Sequence, residues 1–231
     1  RARLALSRHL AGSGNAREAL DLQFAALLQN PHALSIHQAI WRALAQLRHE
    51  PELVNRYSDL TRHAVFYQIF PDRFANGDPA NDPENVQPWG TTPTQHAFMG
   101  GDLQGIVDNL DYLTDIGVTA LYLNPIFQAS SNHKYNTFDY LKIDPHFGDL
   151  ATFQQLIGAA HDRGIRVVLD GVFNHCGRAF YPFNDVLENG TFSPYLKWFH
   201  IERFPLHAYD GEQPHGYKTW WDFRSLPKFN T

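Results

Sequence analysis

Three short segments gather side chains that could hold a ligand. In Asp170-Gly-Val-Phe-Asn174-His175 a carboxylate follows directly on the apolar run Ile165-Arg-Val-Val-Leu169. An acid at that junction can reach the mouth of a sheet and orient a cation or a substrate hydroxyl, although an isolated Asp there also serves as a loop cap. In His133-Lys-Tyr135-Asn136-Thr-Phe-Asp139-Tyr140 one loop offers a cation, aromatic faces and several hydrogen-bonding groups, which suits a polyhydroxylated ligand or simply an internally bonded surface loop. The third segment packs Asn76, Asp78, Asn81 and Asp82 closely, with Gly77 and Pro79 bending the backbone, and Gly100 and Asp102 follow. Hard cations such as calcium take several oxygen ligands from carboxylates, amides and carbonyls. The same residues are also ordinary turn formers, and spacing leaves both readings open.

These segments need elements to position them. Val65-Phe-Tyr-Gln-Ile-Phe70, Ala120-Leu-Tyr-Leu123 and Ile165–Leu169 read as strands. The last is apolar at nearly every position, as a strand buried on both faces would be. Between them, Ile106, Val107, Leu110, Leu113 and Ile116 predict a helix from Leu103 ended by Gly117. Phe153, Leu156, Ile157 and Ala160 predict a second, capped by Asp149 and closed by Gly164. Strand, helix, strand, helix, strand points to a parallel sheet, open or closed into a barrel, whose working residues gather at the strands' carboxyl ends. All three ligand-bearing segments fall on that face. From about 176 to 231 the chain reads as loop-like and aromatic. Residues 1–60 read as helices without a chemical motif, and the five histidines up to His63 (His9, His32, His37, His49 and His63) are scattered.

Bulk composition narrows the function classes. A net charge of −5 argues against a nucleic-acid partner. No run reaches the ~18 apolar residues of a membrane span. The single cysteine, Cys176, allows no internal disulfide, so folding does not depend on an oxidising compartment; the compartment stays open, with the cytoplasm favoured. An aromatic content of 14% reads by itself as core packing. No GxGxxG or GxxxxGK[ST] turn follows the first strand, which sets aside an open nucleotide-binding sheet.

Taken in order, the segments resemble the α-amylase family of glycoside hydrolases. Asp170–His175 is similar to its first conserved region, and His133–Tyr140 running on to Ile143-Asp-Pro-His-Phe-Gly148 resembles the segment after its second barrel strand. Val65–Asp78, Trp220-Trp221 and Leu226–Asn230 resemble the neopullulanase, cyclomaltodextrinase and maltogenic amylase branch. The resemblance covers 64–231 and implies an α/β fold, a partial (β/α)₈ TIM barrel: its first three βα units and the start of the excursion after strand 3, preceded by the helical segment 1–60. It implies an α-glucan or maltooligosaccharide substrate, with Tyr135 stacking on the sugar where the bond breaks and His133 and Asp139 beside it. His175 would hydrogen-bond that sugar, and Asp170 and Asn174 would support the site. It also implies calcium held by Asn76, Asp78, Asn81, Asp82, Gly100 and Asp102, and allows a homodimer of the parent protein.

Two departures stand out. Asn136 occupies a position where the family usually has Asp, removing a charge beside the subsite. The helical front is unlike the β-sandwich that often precedes this barrel. Retaining glycosidases use two carboxylates ~5 Å apart, which the resemblance assigns to the fourth and fifth strands. Three strands are recognisable here, a full barrel takes ~250 residues, and Glu202 and Asp222 match no catalytic position. The expectation is a glycosidase parent whose carboxylate pair lies beyond Thr231, so that this polypeptide alone is inactive. The rival is a non-catalytic glucan-binding member that keeps Tyr135 and His175.

Overall fold

The computed structural model describes residues 63–230. The helices expected in residues 1–60 lie outside the described residues. Three parallel strands form the central sheet: β1 (Phe66–Ile69), β2 (Ala120–Leu123) and β5 (Arg166–Leu169), in the order β1-β2-β5. They run in step, with Gln68 opposite Tyr122 and Tyr122 opposite Val168. Because side chains alternate along a strand, Leu121, Leu123 and Ile69 share one face, and Gln68, Tyr122 and Val168 share the other.

The first face is the dry one. A short helix α1 (Pro71–Phe74) follows β1, and the predicted helix from Leu103 is two pieces, α2 (Leu103–Asp108) and α3 (Leu110–Asp115). The break falls at Asn109, whose side-chain amide donates to the Gly105 carbonyl at 2.7 Å. Helix α4 (Leu150–Asp162) begins as predicted, with the Asp149 carboxylate accepting from the Thr152 N–H. Leu103, Ile106, Leu110, Leu113, Leu156 and Ala160 pack with Leu121 and Leu123 into one core. At this apolar density each large side chain contributes about 1.5–3 kcal/mol. The turns back into β2 and β5 are short, and Gly117 and Gly164 take them with positive φ (82° and 71°).

The burial on both faces expected of β5 does not hold: its residues are exposed or half-buried, whereas β2 is buried at every position but the half-buried Tyr122. The reason is position: β5 has a strand neighbour on one side only among the described residues. The loops of the other end hold more structure than their composition suggests. Strands β3 (Phe127–Ala129) and β4 (Thr137–Ile143) form an irregular antiparallel hairpin. The stretch after Cys176 contains helix α5 (Tyr181–Asn189) and a second hairpin, β6 (Thr219–Trp220) with β7 (Phe223–Pro227). It is therefore not the loop that its weak pattern implied.

Candidate active site

The residues that leave the three parallel strands are Phe70, Asn124 and Asp170, and the last two continue the polar face of Tyr122 and Val168. Asn124 accepts from the Gln68 amide at 2.8 Å. Asp170 is tied to the sheet by its own N–H, which donates to the Leu123 carbonyl at 3.0 Å. Its carboxylate then accepts a 2.6 Å hydrogen bond from the Tyr135 hydroxyl. A charge-assisted bond of that length is among the stronger ones a protein makes, and it pins the ring of Tyr135 over the strand ends. Burial, reinforced by the neighbouring Asp170 charge, pushes the Tyr135 and Tyr122 phenols above their ordinary range. Both remain protonated donors at neutral pH.

His175 closes the network from beneath. Its Nε2 lies 3.1 Å from the Tyr135 carbonyl, which can only accept, so the proton sits on Nε2. The Asn174 side-chain amide meets the other nitrogen at 3.1 Å. With both nitrogens engaged and 5% exposure, His175 supports Tyr135; its ring nitrogens are already taken by protein partners. Burial holds its pKa down, against the raising effect of the Tyr135 carbonyl, and the ring stays neutral. His133 stacks on Tyr135 with centroids 5.9 Å apart, and its Nδ1 accepts from the Tyr135 N–H at 3.1 Å. Burial, then the charge of Lys134, lowers the His133 pKa as well.

The loop that carries Tyr135 differs from its sequence reading in two ways. Lys134 does not present a cation to a ligand. It is fully buried with left-handed backbone (φ 57°), its Nζ 2.8 Å from Asp144 and 4.8 Å from the centre of the Phe147 ring. Burial lowers its pKa, and Asp144 and Asp72 oppose that. No spacing rule joins Lys134 to an acid ten residues on, and the left-handed residue has no sequence signature. Asn136 places its amide between Ser130 and Ser131, accepting from one hydroxyl and donating to the other, so its polarity is spent on the loop. Asp139 stands apart from Asp170 and Tyr135 in its bonding: it caps the Leu141 N–H at 2.9 Å and pairs with exposed Lys142 at 3.2 Å.

The Asn- and Asp-rich segment folds around Asp102, which is fully buried and caps α2. One carboxylate oxygen accepts from the N–H groups of Gly77 (3.1 Å) and Gly105 (2.6 Å). The other accepts from the Asp78 N–H (2.8 Å) and the Asn81 amide (3.1 Å). Asn76 donates to Asp82 at 2.8 Å, and the side-chain oxygens of Asn76 and Asn81 are buried without partners. The backbone crowds in: a Cβ on Gly100 would meet the Asp82 carboxylate oxygen at 2.3 Å, and one on Gly77 would meet the Gly105 nitrogen at 2.3 Å. Two orphaned amide oxygens beside a carboxylate are oxygen donors of the kind a hard cation takes, so the residues present fit calcium. No site residue lines the cavity of about 380 Å³ between α5 and residues 206–210.

A parallel strand–helix sheet with its polar groups collected at the carboxyl ends is the scaffold of an α/β enzyme. Residues 68–225 match the family model described as alpha amylase, catalytic domain, and the chain belongs to the α-amylase family. It is 55% identical over 174 residues to a cyclomaltodextrinase of Geobacillus thermopakistaniensis (strain MAS1), a match that takes in 75% of this chain and 29% of that enzyme. It is 56% identical over 146 residues to the intracellular maltogenic amylase of Bacillus subtilis (strain 168), covering 63% of this chain and 25% of the relative. Among solved structures it resembles the cyclic alpha-maltosyl-(1→6)-maltose hydrolase of Arthrobacter globiformis, with TM-score 0.68 and 52% identity over 72% of this chain and 37% of that one. The chain thus spans under a third of the length of the curated relatives it matches.

Proposed function

We propose that the parent protein hydrolyses α-glucosidic bonds in maltooligosaccharides, cyclodextrins or starch-type glucans by the retaining, two-carboxylate route, and that this chain supplies the sugar-binding floor of its barrel. The names of its relatives, a cyclomaltodextrinase and a cyclic alpha-maltosyl-(1→6)-maltose hydrolase, support the substrate class. The observation that carries the reading is the Tyr135–Asp170–His175 network at the strand ends. It offers an aromatic ring locked by its own hydroxyl at the place where the α-amylase family binds the reacting sugar. Of the residues leaving the three parallel strands, only Asp170 is an acid, and it is bonded to Tyr135. The ~5 Å carboxylate pair of a retaining enzyme belongs to strands beyond these three, so the chain alone binds without cleaving.

Of the six expected ligands, Asp102 has both oxygens taken by N–H donors and Asp78 caps the Ala80 N–H. Calcium bound by the other four, Asn76, Asn81, Asp82 and the Gly100 backbone, would fix the segment between β1 and α2 and supply structural rather than catalytic chemistry. A cytoplasmic setting is in keeping with the intracellular relative.

The test is calorimetric titration of maltotriose and β-cyclodextrin into the 231-residue chain and its Tyr135→Ala variant, with product analysis alongside. Binding that weakens about tenfold in the variant, roughly one aromatic contact or 1.4 kcal/mol, with no product, is the expected result. Equal binding by both proteins, or turnover in the ordinary enzymatic range of about 1–10³ s⁻¹, would overturn it.

A further inference from the structure

The loop between β6 and β7 breaks a rule of turn chemistry. Trp220 pairs with Phe223, leaving Trp221 and Asp222 as a two-residue hairpin loop, and both have positive φ (48° and 60°). A loop of that form selects Asn-Gly or Asp-Gly, because a side chain beyond Cβ is disfavoured there. A bulky aromatic at its first position is a genuine outlier, and such outliers cluster at ligand clamps. The strained residue is also the most exposed tryptophan described, at 78%.

What the strain achieves is a stack. The Trp221 ring lies flat on Trp220, 4.5 Å between centroids and 6° from parallel. Trp220 in turn stacks on His175 at 5.1 Å and 20°, and His175 is bonded to the Tyr135 carbonyl. The rings therefore form one column from the candidate sugar site to solvent, and its outer end is an open indole face. An indole face is a large, rigid surface that costs little side-chain entropy to present, and the C–H faces of a pyranose ring are its chemical complement.

The geometry points to an outer glucan subsite in which Trp221 stacks on a glucose unit distant from the one held by Tyr135. This rests on the glucan-binding reading above and adds a second contact specific to longer substrates. Continuity with the His175–Tyr135 network selects a sugar over a protein partner as the occupant.

The test replaces the loop by its favoured sequence, Trp221→Asn with Asp222→Gly, in the 231-residue chain. Because Asn-Gly suits the turn, the thermal midpoint should hold or rise. Maltoheptaose binding should weaken about tenfold, or 1.4 kcal/mol, while maltose binding changes less than about twofold. In the unsubstituted chain, maltoheptaose but not maltose should protect Trp221 from N-bromosuccinimide oxidation, read by peptide mass spectrometry. Unchanged maltoheptaose affinity and no protection overturn the subsite, as does a concentration-dependent dimer that the substitution abolishes at unaltered sugar affinity. If Tyr135→Ala weakens binding and the loop variant does not, only the subsite falls. If the unsubstituted chain binds no glucan, the glucan-binding reading falls with it.

Discussion

Replacing Asp102 by Asn tests whether the loop between β1 and α2 is organised by one buried carboxylate. The substitution keeps size and removes one acceptor oxygen. Each oxygen of Asp102 now serves two donors, Gly77 and Gly105 on one side and Asp78 and Asn81 on the other. Whichever way the new amide turns, its NH₂ faces two N–H groups that have lost their acceptor. A buried unsatisfied donor costs about 1–3 kcal/mol. The amide should turn toward Asp78 and Asn81, which are less buried than Gly105 and can recruit water, so the lower half of the range applies. The expected loss is about 3 kcal/mol for the pair, or about 6–12 °C for a domain of this size. Thermal unfolding by circular dichroism and urea midpoints, each with excess calcium and with EDTA, would measure it. A fall under about 2 °C would refute the four-donor account. A fall that appears with calcium and vanishes in EDTA would show Asp102 acting through a cation instead. For the unsubstituted chain, a calcium-bound loop predicts stabilisation by RT ln(1 + [Ca²⁺]/Kd), so EDTA should lower the midpoint.

Lys134→Met leaves Asp144 buried without its cation, and removing one partner of a buried pair costs about 3–5 kcal/mol; adding Asp144→Asn should recover part of that in urea unfolding. Acidification should destabilise the chain through His133 and His175, whose folded pKa values lie below the ordinary one because of burial. The unfolded chain then binds more protons, so stability rises with pH through the window ending near the unfolded value of about 6.5 and is lost on the way down. Midpoints measured from pH 7.5 to 5 should fall, and His133→Gln should flatten that fall.

The parallel strands and their helices were legible because burial writes itself into local apolar runs. Strand β2 matches its reading residue for residue. Strand β5 starts one residue late because the Ile165 N–H turns back to the Ala160 carbonyl at the end of α4. Helix α5 was missed although Pro182 stands in its first turn and Phe183 and Val186 are buried at helical spacing; nine residues among aromatic loops gave too short a window. The β3–β4 hairpin hid behind its register shifts, which break the alternation that marks a strand. In the site, Asp170, Tyr135 and His175 were readable as members of the resemblance, but their mutual bonds span 35 and 40 residues. Lys134 is the instructive miss: side-chain type suggested a ligand-facing charge, whereas the fold spends it on Asp144.

Cys176 follows His175 directly, is fully buried and is the chain's one cysteine. Its N–H donates to the Pro227 carbonyl at 3.1 Å, and burial pushes its thiol well above the usual range. A thiol in that state reacts only when its surroundings open. The protein therefore carries a built-in chemical clock under the floor of the candidate sugar site. Under conditions where closing outpaces labelling, the rate at which a disulfide reagent modifies Cys176 reports the opening free energy of that floor, without any engineered cysteine. Ligands that brace the Tyr135–His175–Trp220 column should slow it, and those that bind elsewhere should not.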